Sequence, residues 1–287
     1  MAVLVPTHGN LAAPNDSLAN EYYRNGEYTL ARIEYERELR ARPEDNRELT
    51  ARLGLTLLRL GDFRSGLMAM ENQEDFAHHY LSLFAALRAG MVHRALSEQS
   101  AILDLRTSYS AEQREQARLL GGALYLEEAD YNGATRYFSL LQREASSTEV
   151  RQKAGGVLTA LEDYEQRPTR SPLLAGALSA VLPGSGQVYA AHYVDGVAAL
   201  FFNGMFLGSA IVTYDLEQRA GSGHVASSIF GLVGLIFYLA NVNGAVQSAY
   251  RYNNYQERQF HQRIREEYFN LDYVEQTSGV EIFRESF

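Results

Sequence analysis

The chain contains no cysteine and a single lysine, and each shortage removes a class of chemistry. Without cysteine there can be no disulfide, no thiolate metal site and no cysteine nucleophile. The one lysine, Lys153, is not part of a Gly-Lys-Ser/Thr sequence, so the chain has no Walker A motif for nucleotide phosphates. Schiff-base chemistry would depend on Lys153 alone.

Motifs for catalysis and metal binding are also missing. The sequence has no His-Glu-x-x-His, no Gly-x-Ser-x-Gly and no paired-carboxylate motif. His78 and His79 are adjacent, so on a helix they diverge by about 100° and cannot easily share a metal. The net charge of −9, with no basic block, argues against nucleic acid as a partner. We therefore expect no enzyme activity, no cofactor, no metal and no nucleic-acid partner.

Charge is scarce between Arg170 and Arg251, where the only charged residues are Asp195, Asp215, Glu217 and Arg219. Two uncharged apolar runs, 197–214 and 225–242, flank the last three of these, and each has 18 residues. A helix of that length is roughly 27 Å long, close to the roughly 30 Å core of a bilayer. The pattern predicts a transmembrane hairpin with residues 215–224 as its tip. Two helices buried in a large soluble core are the alternative.

A shorter apolar segment, Ser171–Leu182, precedes the hairpin and ends at Pro183. It is too short to span a bilayer alone, which favours a re-entrant or interfacial helix. Gly184 and Gly186 then permit a tight turn, because glycine tolerates backbone angles that other residues avoid. If the segment spans after all, the two ends of the chain lie on opposite sides.

The region around this turn resembles a family of small bacterial membrane domains of largely unknown function. Those domains carry Pro-Gly-x-Gly-Gln/Tyr-x-Tyr before a two-helix hairpin, and the resemblance covers roughly residues 171–254. It implies a membrane location and no particular chemistry. The residues of this chain that carry the motif are Pro183, Gly184, Gly186, Gln187, Tyr189, His192, Asp195, Asn203 and Asn241.

Two interpretations of these polar residues remain open. Polar groups at membrane depth are costly unless paired, so they are candidates for a lipid-like substrate site with His192 and Asp195 as acid and base. The favoured alternative is that Gln187 and the asparagines satisfy the backbone broken at Pro183, because nothing else can do so in hydrocarbon.

Small residues recur four apart on both apolar runs: Gly204 and Gly208 on the first, and Ser227 and Gly231 on the second. Such faces let helix backbones approach closely. The simpler expectation is that they pack the hairpin against itself. A homo-oligomer formed through the same face is the alternative.

The first half of the chain has repeating helical patterns that resemble the tetratricopeptide repeat. Turn glycines occur at Gly26, Gly61 and Gly90, and Ala129 takes the equivalent place in a fourth unit. The resemblance implies stacked pairs of antiparallel helices, each pair covering the apolar face of the next. The positions that carry it best are Leu18, Ala19, Tyr22, Tyr28, Ala31 and Tyr35 in the first unit and Gly122, Tyr125, Tyr131, Ala134 and Phe138 in the fourth.

An arginine precedes each of the three turn glycines by two residues, in a position that borders the concave groove in the tetratricopeptide family. Glu127 occupies that place in the fourth unit. Beside apolar residues, such arginines can grip an acidic or C-terminal carboxylate segment by bidentate bonds. The alternative is that helix ends simply favour arginine. The candidate groove residues are Tyr23, Arg24, Leu58, Arg59, Leu87 and Arg88.

These patterns predict an all-α protein with five segments. They are an N-terminal stretch over 1–12 that resembles the end of a signal peptide, helical repeats with a cap helix over 13–166, and a linker over 167–172. A membrane domain over 173–253 follows, and then an amphipathic helix and acidic tail over 254–287. Arginines flank the hairpin, which places the repeats in the bacterial cytoplasm by the positive-inside rule. A missing signal peptide would place them in the periplasm.

The function expected from the sequence is a scaffold that docks a protein partner at a bacterial inner membrane. The main alternative is a membrane module that binds or processes a small lipid-like substrate recruited by the repeats. A self-assembling membrane protein is a third. The sequence names neither the partner nor the process.

Overall fold

The computed structural model describes residues 17–42, 46–71 and 73–280. Throughout these ranges the chain is α-helical, without a β-strand, which confirms the predicted all-α class. The N-terminal stretch expected over 1–12 lies outside the described residues. The chain divides into two compact units: residues 1–162 with 263–287 form the first, and residues 163–262 form the second.

The first unit is built from short helices in which each packs mainly on the next one along the chain. Three-residue connections join the two helices of a pair, as at residues 25–27, 60–62 and 89–91, and connections this short favour antiparallel neighbours. The helices are α1 (Leu18–Arg24), α2 (Tyr28–Ala41), α3 (Arg47–Arg59), α4 (Phe63–Ala69), α5 (Phe76–Arg88), α6 (Val92–Leu103), α7 (Ala111–Gly121), α8 (Ala123–Glu127), α9 (Tyr131–Glu144) and α10 (Thr148–Glu165), which runs on into the second unit.

The turns between paired helices lie where the sequence places them. Gly26, Gly61 and Gly90 have φ values of 76°, 77° and 70°, and Ala129 adopts the same left-handed conformation at 55°. An aspartate follows two of these turns and caps the next helix. Asp62 accepts a hydrogen bond from the Ser65 amide at 3.1 Å, and Asp130 accepts one from the Gly133 amide at 2.9 Å. Turn and cap together stop one helix and start the next.

The second unit contains two short helices and two long ones. Ser171 caps the first of them through the Leu174 amide, and Pro183 follows its end. The helices are α11 (Pro172–Val181), α12 (Ser185–Tyr189), α13 (Tyr193–Ala220) and α14 (Val225–Glu267). As the sequence predicts, α14 continues past its apolar run as one helix; its last residues belong to the first unit.

Helices α13 and α14 are both long enough and apolar enough to cross a membrane. Only 11% of the residues in the most apolar window of α13, and 17% in that of α14, are buried within the chain. A core helix of a soluble protein would be mostly buried, so this exposure favours a lipid environment over the soluble alternative.

The tip of the hairpin is shorter than the sequence suggests. Asp215, Glu217 and Arg219 lie in the last turns of α13, which ends at Gly221 with φ 63°. Glu217 accepts hydrogen bonds from the Ala226 amide at 2.8 Å and the Ser227 hydroxyl at 2.6 Å. Its carboxylate therefore caps the start of α14, where negative charge is favourable.

The small residues expected to pack the hairpin do not form its contact. A Cβ added at Gly204, Gly208 or Gly231 would meet no atom within 4 Å, apart from the backbone of its own helix. Ser227 belongs to the cap at the tip. The two helices meet instead through aromatic rings, with Phe206 and Phe202 stacked on Phe237 at centroid distances of 4.6 and 5.9 Å, and through Leu207 against Gly234. The contact between the two helices therefore consists of aromatic and leucine side chains and not of closely approaching backbones at these small residues.

Ala129 offers a direct test of the repeated turn. A left-handed conformation costs an L-residue about 1–2 kcal/mol, and glycine removes most of that strain. We expect Ala129→Gly to raise the free energy of unfolding by about 1 kcal/mol, measured by thermal or urea denaturation. Ala89→Gly is the matched control, because Ala89 ends α5 with φ −83° and gains nothing from glycine. Equal effects of the two substitutions would contradict the assignment.

Candidate functional site

The C-terminal helix α15 (Leu271–Ser278) belongs to the first unit and lies against its helical pairs. Asn270 caps its start, and Gly279, with φ 72°, ends it. It packs on α3 and α5, and its side chains also reach α1 and α7. We call the surface that α1, α3, α5 and α7 present to α15 the inner groove. The first helix of each of four successive pairs contributes to it.

Arg59 is the centre of this groove. Its guanidinium is 2.6 Å from the Asp272 carboxylate, forms a short ion pair with Glu275, and donates to the Tyr23 hydroxyl at 3.1 Å. Tyr23 in turn donates to the same Glu275 oxygen at 2.8 Å. Two residues from different helices thus converge on one carboxylate, and α15 presents its two acids three residues apart on one face.

Burial shapes the electrostatics of this cluster. Loss of solvent opposes the charge on Arg59, but hydrogen bonds to Glu275, Tyr23 and Asp272 outweigh it and raise its pKa. Burial, and then the negative charge of Glu275, raise the pKa of Tyr23 far above its usual range. Arg59 therefore stays charged and Tyr23 stays a hydrogen-bond donor at every physiological pH. The carboxylate that these two groups contact in the structure is that of Glu275.

One oxygen of the bound carboxylate is not satisfied. Glu275 is only 7% exposed, and within the described residues its Oε1 atom has no hydrogen-bond donor. A buried acceptor without a partner costs about 1–3 kcal/mol. The inner groove therefore holds α15 with an incomplete set of bonds.

Tyr273 supplies the aromatic contact of α15. Its hydroxyl forms a short hydrogen bond with Gln116 in α7, and the Lys153 ammonium lies 3.7 Å from the centre of its ring. Burial lowers the pKa of Lys153 and, in the opposite sense, raises that of Tyr273. The only lysine is therefore engaged in a cation–π contact with α15.

A second charge contact has the opposite sign. Arg265, near the end of α14, forms a bidentate pair with Glu127 at 3.0 and 2.6 Å. Glu127 is the acidic residue that replaces arginine in the fourth unit. The C-terminal segment thus places its acids against Arg59 and its Arg265 against Glu127. Together the two contacts define the direction of this segment along the first unit.

The structure separates the six candidate groove residues. Tyr23 and Arg59 meet at Glu275, whereas Arg24 is exposed and forms no ion pair within the described residues. Arg88 lies over the rings of Phe63 and Phe84, with its guanidinium carbon 5.6 and 5.8 Å from their centres. Of the three arginines, Arg59 is the one that contacts the acidic helix in the described part of the chain, and a ladder that grips a partner segment stays a prediction.

The two leucines expected to form apolar pockets are instead core residues. Leu58 is 2% exposed and packs towards α4, where its Cδ2 atom would lie 3.0 Å from a Cβ at Gly66. Leu87 is likewise buried. Leu58 directly precedes Arg59, so on a helix it points about 100° away from the side chain that meets α15.

Sequence reasoning missed the residues that complete this site: Asp272, Tyr273 and Glu275 on α15, and Gln116 on α7. The acidic, aromatic composition of the C-terminal tail was the available signal. Asn270 is a residue type that caps helices, and it precedes the apolar Val274 and the acids Asp272 and Glu275. This order predicts a short helix capped by Asn270. Nothing local to Gln116 distinguishes it from other helix-surface glutamines.

His78 and His79 have separate structural roles. His78 is buried, with its ring nitrogens 2.8 Å from Asp75 and 2.9 Å from Thr50, and it connects α3 with α5. His79 turns to Glu98 in α6, at 2.6 Å. In the described ranges, no group of three histidine or acidic side chains is placed to hold a metal ion.

The polar residues of the second unit form one buried network around the turn at Pro183. Asn241 Oδ1 accepts from the Gly184 amide at 3.0 Å, and Asn241 Nδ2 donates to the Ser179 carbonyl at 3.2 Å. The Ser179 hydroxyl accepts from the Gly186 amide and donates to Gln187 Oε1 at 2.8 Å. Gln187 Nε2 donates back to Asn241 at 3.0 Å. The side-chain amides of Asn241 and Gln187 thus both bond to backbone groups at this turn, as the favoured interpretation predicts.

Glycine is required at two points of this turn. Gly184 has φ 90°, and a Cβ there would lie 2.0 Å from the Gly196 carbonyl oxygen. At Gly186 it would lie 1.9 Å from the Ala175 oxygen. The Pro-Gly-x-Gly sequence therefore serves close backbone packing, and Pro183 ends α11 before it.

The other motif residues lie outside the network. Tyr189 accepts from the Ser171 amide at 3.1 Å. The Asp195 carboxylate lies 3.6 Å from the His192 ring nitrogen and 3.4 Å from Arg251. Asn203 donates to the Ala199 carbonyl at 2.8 Å in its own helix. The expected gathering of Asn203 with Gln187 does not occur.

Asn241 and Asn243 form a matched pair for testing the network. Asn241→Leu strands the Gly184 amide and the Ser179 carbonyl, so we expect it to lower the free energy of unfolding in detergent by about 2–4 kcal/mol. Asn243 is exposed on the same helix, and within the described residues its side chain has no hydrogen bond. Asn243→Leu should be nearly neutral. A similar loss in both variants would contradict the structural role of Asn241.

Comparisons with known proteins identify no relative of this chain. No protein-family model, no curated protein and no solved structure matches it.

Proposed function

We propose that the chain is an adaptor, anchored by α13 and α14 in a bacterial inner membrane, whose helical repeats dock a protein partner. The observation that carries this proposal is the Arg59–Tyr23 cluster of the inner groove, which binds an acidic helix. A surface that holds α15 by ion pairs and one aromatic anchor has the features of a peptide-binding groove. The resemblance to tetratricopeptide repeats supports the same role.

The contact between the chain's ends bears on its topology. Tyr23 precedes the apolar helices and Glu275 follows them, yet their side chains lie 2.8 Å apart. A chain that keeps this contact in a membrane has α1 and α15 on one side of the bilayer, which fits an even number of crossings. Two crossings by α13 and α14 satisfy this condition, and α11 then enters or lies at the interface, since ten residues are too few to span.

The lipid-substrate alternative has less support. The amides of Gln187 and Asn241 are committed to the broken backbone, and Asp195 is shared between His192 and Arg251. A substrate at Gln187 would have to compete with the bonds that hold the turn together. The homo-oligomer alternative has only the open face at Gly204 and Gly208 in its favour.

A peptide with the sequence of residues 268–280 tests the docking function. We expect this labelled peptide to bind the full chain in lipid nanodiscs when Glu275→Arg repels the chain's own α15 from Arg59. Adding Arg59→Ala should weaken that binding about thirtyfold or more, because truncating a buried charge partner costs about 2–5 kcal/mol. Fluorescence anisotropy measures both affinities.

The control for that experiment is Arg64→Ala in the same Glu275→Arg background. Arg64 is an exposed arginine of α4, outside the inner groove. Its loss should leave peptide affinity unchanged. If the opened chain is folded by circular dichroism and still does not bind the peptide, the docking function is wrong.

The absence of cysteine makes sidedness easy to measure. Ser100→Cys, on an exposed surface of α6, and Ser222→Cys, in the tip between α13 and α14, each introduce one thiol. In inverted and right-side-out bacterial membrane vesicles, we expect a membrane-impermeant maleimide to label the two positions from opposite sides. The positive-inside rule places position 100 in the cytoplasm. Labelling of both from one side would contradict the anchored hairpin.

A further inference from the structure

We propose that α15 is a displaceable occupant that closes the inner groove, and that the protein partner opens it by presenting an acidic helix of the same chemistry. This inference rests on the proposed docking function and adds how the site is regulated and which class of ligand it takes. The structure supplies its basis directly: the residues able to bind a partner carboxylate, Arg59 and Tyr23, are already engaged by Glu275.

Covalent attachment makes this occupancy effective. A segment tethered near its own site acts at an effective concentration on the order of millimolar, which a free partner seldom reaches. If the groove is open in about 1% of molecules, the apparent dissociation constant of a partner rises about a hundredfold. A closed groove thus rejects weak acidic ligands and admits strong ones.

The contacts of α15 suit exchange. With eight residues it is too short to remain helical by itself, so its order depends on the groove. Its acids are held by ion pairs and hydrogen bonds at Arg59 and Tyr23, and the Oε1 atom of Glu275 is buried without a donor in the described part of the chain. A partner that supplies that donor gains a bond that α15 lacks.

The chain before α15 is fixed, which confines opening to the helix itself. Arg265 is held by its bidentate pair with Glu127, and Phe269 is 4% exposed against the ring of Phe138. Asn270, which caps α15, is the next residue. Release therefore requires rotation near Asn270 and leaves the remaining helices in place, a local opening of the kind that proteins undergo below their global unfolding energy.

The ligand class follows from the spacing on α15. Asp272 and Glu275 face Arg59 together, and Tyr273 reaches Gln116 and Lys153. A competing segment needs a helix with two carboxylates three residues apart and an aromatic residue directly after the first.

The test compares full-length chains in nanodiscs, using the labelled 268–280 peptide as the probe. We expect Glu275→Arg to bind this peptide at least tenfold more tightly than the native chain does. Glu128→Arg, the same change of charge at an exposed residue at the end of α8, should behave as the native chain. Hydrogen exchange at the amides of Val274 and Glu275 should accelerate only in the first variant.

A charge swap supplies the second arm. Arg59→Glu combined with Glu275→Arg and Asp272→Asn restores an attractive pair and leaves no acid of α15 against the new glutamate, so slow exchange at α15 should return while the native peptide no longer binds. If Glu275→Arg loses its helical circular dichroism, Asp272→Asn with Glu275→Gln replaces it, because these changes neutralise the acids without repulsion. The tenfold gain in affinity is expected there too.

The outcomes separate the two proposals. Failure of a folded, opened chain to bind the peptide overturns the docking function together with its regulation. Equal binding by the native and opened chains keeps docking and overturns closure by α15. Protection of α15 that disappears on dilution, with a dimer in light scattering, would show that a second copy donates the helix, and this also overturns closure within one chain.

Discussion

The burial of Glu275 against Arg59 and Tyr23 is the contact on which the rest of the molecule depends. It joins residues 252 positions apart, on either side of the two apolar helices. A carboxylate this well buried is tolerated only when it is paired. The ion pair therefore specifies the position of α15 more than it adds to the stability of the fold. The cost of closing so long a loop grows only slowly with its length. This carboxylate therefore links α15 to α1 and α3 within the first unit and occupies the inner groove.

The second unit obeys a related constraint, because its backbone is interrupted where few water molecules could replace the lost helical hydrogen bonds. Pro183 ends α11, and the amides released at Gly184 and Gly186 are taken up by Asn241 and Ser179. The side chains of Asn241, Ser179 and Gln187 are consequently bonded to one another and to the interrupted backbone. The same chemistry that made them candidates for a substrate site explains why they serve the fold.

Periodic features of the sequence predicted periodic features of the structure. The turn positions, including Ala129 as a substitute for glycine, and the apolar runs of α13 and α14 followed from local composition. The site followed only in part, because the pairing of Arg59 with Glu275 links residues 216 apart and leaves no local pattern. Leu58 was misplaced for a geometric reason: one helical step from Arg59 turns it towards α4 and into the core.

Two contacts of opposite sign orient the chain's own C-terminal segment more strictly than either contact alone. Arg59 favours an acid, and Glu127 favours a base at a second position, as Arg265 shows within this chain. A segment that enters reversed would bring like charges together at both positions, each at a cost that a correctly oriented segment avoids. Even a weak ion pair at an exposed rim then contributes direction. The replacement of arginine by glutamate in the fourth helical pair is thus the feature that distinguishes an oriented site from a generally basic surface.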